Sequence, residues 1–119
     1  MKKLLILMMT IIAAVAMLAA GCGGGEKKAA EKVLRVGTEP TFAPFEFQKE
    51  GSSEFTGFDM DLIRAIGKQA GYKVEIQNMG FDALIPALNA GNIDVTIAGM
   101  SITEERKGAV AFADPYYTS

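Results

Sequence analysis

The chain has 119 residues, half of them hydrophobic, with 12 basic and 14 acidic side chains and a formal net charge of −2. That length bounds it to one domain or part of one, and a mildly acidic chain with no basic run lacks the concentrated positive footprint of a nucleic-acid binder. It has no histidine and one cysteine, which removes the usual ligands of a zinc or copper site and the base of Ser-His-Asp or Cys-His catalysis.

The N-terminus reads MKKLLILMMTIIAAVAMLAAGC. Lys2 and Lys3 form a positive start, an apolar run from Leu4 to Ala20 is broken only by Thr10, and small residues precede Cys22. Such a run is at the short limit for crossing a hydrocarbon core of roughly 30 Å. Its flanks fit cleavage better than retention, so residues 1–21 are expected to be a leader rather than a membrane anchor. Losing Lys2 and Lys3 with it takes the net charge from −2 to −4.

As the sole cysteine, Cys22 has no disulfide partner within the chain. The segment LAAGC resembles the lipobox of bacterial lipoproteins, in which the thiol receives a diacylglycerol and the peptide bond before it is cut. The position three before the cysteine is Ala19 rather than the commoner leucine, which stands one place earlier as Leu18. From Gly23 to Lys32 three glycines give way to alternating charge, the composition of a flexible tether. A short surface helix over Glu26 to Lys32 is the alternative. Residues 22–32 are therefore assigned to a lipidated cysteine and its tether, and 33–119 to the folded part.

VLRVGT reads as a strand. EPTFAPFEF, with two prolines and three phenylalanines, reads as a greasy loop, followed by a loose hairpin between Phe45 and Thr56. In FDMDLIRAIGKQAG, Leu62, Ile63, Ile66 and Ala70 recur at helical spacing, Gly71 is placed to stop the helix, and Asp59 and Asp61 lie at its positive end. YKVEIQ alternates as a half-buried strand near a sheet edge. FDALIPALNAG predicts a short helix capped by Asp82 and stopped by Gly91, starting not much before Asp82 because Pro86 is tolerated only near a first turn. IDVTIAG predicts a buried strand, and AVAFADPYY a strand that breaks at Asp114-Pro115. Alternation of this kind implies an α/β fold, a mostly parallel sheet with helices on both faces, and ligands in such sheets bind outside the carboxyl ends of the strands. The segments TEPTFAPFEF and AGMSITEER occupy those ends.

Four segments, GTEPTFAPFEF, GFDMDLIRAIGKQA, LIPALNAGNIDVTIAGMSITEER and FADPYYTS, occur in the order and spacing of family 3 extracellular solute-binding proteins, and the chain resembles that family over residues 33 to 119. The resemblance implies a periplasmic-binding-protein-like (type II) lobe. Family members have two such lobes that clamp an amino acid, so the chain is expected to be an N-terminal fragment with an incomplete first lobe, and to bind amino acids weakly by itself. It implies a binding lipoprotein that hands a free L-amino acid to the permease of an ABC-type importer. That protein is expected outside the cytoplasmic membrane, on its outer face or in the periplasm, with no cofactor, no metal and no catalytic residue.

By the same resemblance Ala98, Gly99, Ser101 and Arg106 fall at binding positions. The Arg106 guanidinium is suited to grip a carboxylate with two parallel hydrogen bonds, Ser101 to add a hydroxyl, and the Gly99 carbonyl to receive the α-ammonium. Residue types alone would instead read Arg106 as a surface arginine paired with Glu104 or Glu105. Thr103 is expected to cap the helix that starts there. Phe42 and Phe58 resemble the aromatics that sandwich the ligand's stem, whereas Phe45 and Phe47 are expected in the core. Glu39 matches a position that reads the ligand's side-chain end, and a carboxylate there favours glutamine or a basic amino acid such as arginine, lysine or histidine. Asp59 and Asp61 are expected to be structural. Two alternatives share the fold: a cyclohexadienyl or arogenate dehydratase, and an extracellular sensor module.

Overall fold

The computed structural model describes residues 30–118, so the leader, Cys22 and the tether up to residue 29 lie outside the described residues. Ala30 to Lys32 have no regular structure and run into β1 (Val33–Thr38), the middle strand of a parallel sheet ordered β5-β1-β6. β1 pairs along its whole length with β5 (Lys73–Asn78), and through Val36 and Gly37 with β6 (Val95–Thr96). A middle parallel strand is covered on both faces, and Val36, Gly37 and Thr38 are all buried.

One face is covered by α1 (Phe58–Ala70), which brings Met60 and Ile63 against Val36 and Ile97. The other is covered by α2 (Phe81–Asn89), whose Leu84 meets Ile93 beside Gly37. Gly71 ends α1 in a left-handed turn with φ 80°, and Asp59 and Asp61 lie in its first turn, both as expected. The inward stripe differs from the one read off the spacing: Met60, Ile63 and Gly67 are buried, while Ile66 is 48% exposed and Ala70 is exposed. Gly67 decides that register. A Cβ there would fall within the Val74 methyl group, so only glycine lets the helix settle this close to β5.

β5 is an edge strand as its alternation indicates, with Val74 and Ile76 half-buried and Lys73, Glu75 and Gln77 exposed. α2 starts one residue before Asp82, which is therefore not its cap; Gly80 holds that position without a side-chain hydrogen bond. Pro86 sits inside the helix and leaves the exposed Asp82 carbonyl without the N–H it would otherwise receive. The C-terminus closes at Ala90 and Gly91, with Asn92 N–H donating to Ala87 O and Gly91 N–H to Leu88 O.

The segment read as a loop after β1 folds instead into a small antiparallel sheet, β2 (Thr41–Phe42), β3 (Glu46–Gln48) and β4 (Phe55–Thr56), of which β3 and β4 form the expected hairpin. Pro40 and Pro44 flank β2 and limit it to two residues. The strand expected from Ala109 does not form: Ala109 to Thr118 run without a ladder partner, because β6 is only two residues long and offers little edge to pair with. Before that segment comes α3 (Glu104–Lys107), capped by Thr103, whose Oγ1 accepts a hydrogen bond from the Arg106 backbone N–H at 3.2 Å.

Candidate functional site

The carboxyl ends of β1 and β6 deliver Glu39 and Ala98-Gly99 to the same edge of the parallel sheet. Ala98 is 4% exposed, so its side chain belongs to the core and only its backbone can face a ligand. Gly99 turns left-handed with φ 53°. A Cβ at Gly99 would lie 3.0 Å from Cδ1 of Phe42, so the ring rests on this glycine and leaves no room for a larger residue.

Phe42 starts a chain of aromatic contacts. It stacks on Phe45 at 5.5 Å between centroids, Phe45 meets Phe58 edge-on at 6.4 Å, and Phe58 stacks on Tyr116 at 5.8 Å. Phe42 and Phe58 are 52% and 50% exposed, although one face of each ring is covered, that of Phe42 by Phe45 and that of Phe58 by Tyr116. Phe45 and Phe47, expected in the core, are half-buried instead. Phe45 sits amid the aromatic cluster, packed edge-on against Tyr117 as well.

Arg106 and Ser101 are joined directly. Arg106 Nη1 donates to the Ser101 carbonyl at 2.8 Å, and its guanidinium lies 5.3 Å from the centroid of the Phe81 ring. The nearby acids do not neutralise it. Lys107 takes Glu104 at 2.8 Å, and among the described residues Arg106 makes no ion pair. A planar cation braced by one carbonyl and one ring keeps donors for an anionic partner. A shallow cleft beside it is lined by Phe81, Asp82, Ile85, Met100, Glu105 and Arg106. Glu39, half-buried, accepts a hydrogen bond from the Thr41 hydroxyl at 2.8 Å, which orients its carboxylate.

Residue patterns missed what lies beneath Gly99. Asp59 is fully buried and its Oδ2 accepts a hydrogen bond from the Gly99 N–H at 2.7 Å. Glu46 is 1% exposed, and burial first, then neighbouring Asp59, push its carboxyl up to about 8. Burial and the same carboxyls also raise the Tyr116 hydroxyl above the ordinary tyrosine range. The signal available in the sequence was one acid set among phenylalanines in APFEF. Phe81 and Met100, both lining the Arg106 cleft, carried no such signal.

Residues 34–119 match the model of the bacterial extracellular solute-binding proteins, family 3. The chain belongs to this family. It is 44% identical over 92 residues to the arginine-binding extracellular protein ArtP of Bacillus subtilis (strain 168), covering 77% of this chain and 35% of that protein. An ancestral arginine-binding protein bound to arginine superposes with a TM-score of 0.70 at 56% identity, over 75% of this chain and 39% of its own, and the same protein is known bound to glutamine. The arginine-bound form of domain 1 from TmArgBP superposes with a TM-score of 0.69 at 49% identity, over 71% of this chain and 67% of that domain. These relatives are amino-acid-binding proteins. The chain spans about a third of the length of the curated relatives it matches, 35% in the case of ArtP.

Proposed function

We propose that this chain provides the carboxylate-gripping lobe of an exported lipoprotein that captures an amino acid for an ABC-type importer, and that its ligand is a basic amino acid or glutamine. The observation that carries the reading is Arg106, a cation held by Ser101 and Phe81 with no acidic partner among the described residues. The ligand α-carboxylate takes two of its N–H groups, with the Ser101 hydroxyl adding a third donor. The Gly99 carbonyl receives the α-ammonium, next to the Ala98 backbone. Phe42 and Phe58 enclose the aliphatic stem, and the Glu39 carboxylate meets a guanidinium, ammonium, imidazole or amide at its far end. Relatives that bind arginine, histidine and, in one case, glutamine support this choice. Residues 1–21 direct export, Cys22 carries the lipid, and residues 23–32 are the tether to the membrane surface.

An arginine-bound single domain of a relative favours binding by one lobe, against the expectation of weak binding by this chain alone. The test is calorimetric titration of the chain with arginine, lysine, histidine, glutamine and glutamate. Saturable binding of one of the first four and none of glutamate is the expected result. Preference for glutamate, or no binding at all, would overturn the reading, and turnover of prephenate or arogenate would move the protein to the dehydratases.

A further inference from the structure

Two buried carboxyls lie under the site and take no part in the ligand contacts just assigned. Glu46 enters from β3, paired in the ladder with Phe42, and Asp59 from the first turn of α1. Asp59 Oδ2 is held by the Gly99 N–H at 2.7 Å, and a Cβ on Gly99 would stand 3.8 Å from Glu46 Oε1. Glu46 Oε2 and Asp59 Oδ1 are buried and meet no donor among the described residues. Two ionised carboxylates side by side in such a place repel each other and leave both oxygens orphaned. A single proton between them removes the second charge and turns one acceptor into a donor. It belongs on Glu46, because Asp59 already serves as the acceptor for the Gly99 amide. Glu39 and the Tyr116 hydroxyl are the other titratable groups facing this pair.

We propose that Glu46 and Asp59 share one proton and act together as positioning residues, holding Gly99 in its left-handed turn beneath Phe42 so that its carbonyl faces the ligand ammonium. The ligand half of this inference rests on the amino-acid reading above; the hold on Gly99 does not. When the shared proton leaves, two charges face one amide donor, and the β3 side of the pair is driven away from Gly99, taking Phe42 with it. The site then loosens without any change in Arg106, Ser101 or Glu39.

The test tracks the Gly99 amide by nitrogen-15 NMR in the whole chain, then arginine binding. Bonded to a carboxylate, this amide proton is expected well downfield and to move between about pH 6 and about pH 9, the range in which the shared proton is lost. In Glu46→Gln the amide keeps a donor toward Asp59 and does not ionise, so Gly99 stays downfield and stops moving. In Asp59→Ala it returns upfield. In calorimetry the unsubstituted chain is expected to lose several-fold in arginine affinity across that range, and Glu46→Gln to lose less. A Gly99 amide that does not titrate, or that titrates alike in Glu46→Gln, overturns the shared proton, whatever becomes of Asp59→Ala. Absence of binding of arginine, lysine, histidine and glutamine alike by the unsubstituted chain near pH 6 would instead overturn the amino-acid reading, while the Gly99 titration still decides the pair.

Discussion

The guanidinium of Arg35 grips the carboxylate of Asp94 side-on, Nε donating to Oδ2 at 3.0 Å and Nη2 to Oδ1 at 2.7 Å. The Arg35 backbone N–H donates to the same Oδ2 at 2.9 Å, and Nη1 to the Asn92 carbonyl at 3.1 Å. The bond is returned by the Asp94 N–H to the Arg35 carbonyl at 2.8 Å. Since β6 is only two residues long, this clasp, just before it, does much to set where β6 meets β1. Ala98, Gly99, Ser101 and Arg106 come soon after β6 in the chain, so the clasp bears on the site as well as the sheet.

The clasp gives stability an acid limb. Hydrogen bonds from Arg35 hold the Asp94 carboxyl down at about 2, below its unfolded value of about 4. A depressed carboxyl contributes its full stability above about pH 4 and loses it as pH falls through about 2. Both side chains are more than a third exposed, so salt screens the pair. Asp94→Asn is expected to lower the urea midpoint at neutral pH, more so at low salt, and to flatten the decline in acid. An unchanged acid limb in that variant would assign it to other carboxyls.

Gly67→Ala tests the close approach of α1 to β5. Alanine improves helix propensity by about 1 kcal/mol, but its methyl group would enter the space of the Val74 side chain. Overpacking of this kind costs about 1–3 kcal/mol, so a net loss in denaturant unfolding is expected. A gain would mean that α1 can slide away from the strand at little cost.

Arg106→Ala and Glu105→Ala separate a ligand-gripping arginine from a surface one. A charge-assisted hydrogen bond contributes about 1.5–3 kcal/mol, so losing Arg106 is expected to weaken arginine binding by roughly ten- to a hundredfold. Glu105→Ala is expected to stay close to the unsubstituted affinity. Equal losses in calorimetry would return Arg106 to the surface.

Cys22 lies outside the described residues, and its modification is a matter for mass spectrometry. Protein extracted from membranes is expected to begin at a cysteine carrying a diacylglycerol. An intact leader, or an unmodified thiol, would remove the anchor from the proposed function.

Glycine, proline and capping residues made much of the local structure legible in the chain. Gly71 and Gly91 stop their helices, Thr103 caps α3, and the alternation of Val74 and Ile76 marks an edge strand, because each effect acts within a few residues of its cause. The family motifs likewise named Phe42, Phe58, Gly99, Ser101 and Arg106, and the structure joins Phe42 to Gly99 and Ser101 to Arg106. Contacts between distant segments were not legible. That Met60 and Gly67 face the sheet rather than Ile66 and Ala70 depends on how near Val74 lets the helix come, a distance set by two elements packing together. The failed strand after Ala109 depends on a partner edge that β6 is too short to offer. Most of all, Asp59 in a helix start and Glu46 among phenylalanines read as ordinary acids along the chain. Only folding buries them side by side under Gly99, because burial and the charge of a neighbour are properties of three-dimensional surroundings and leave no periodic trace in sequence.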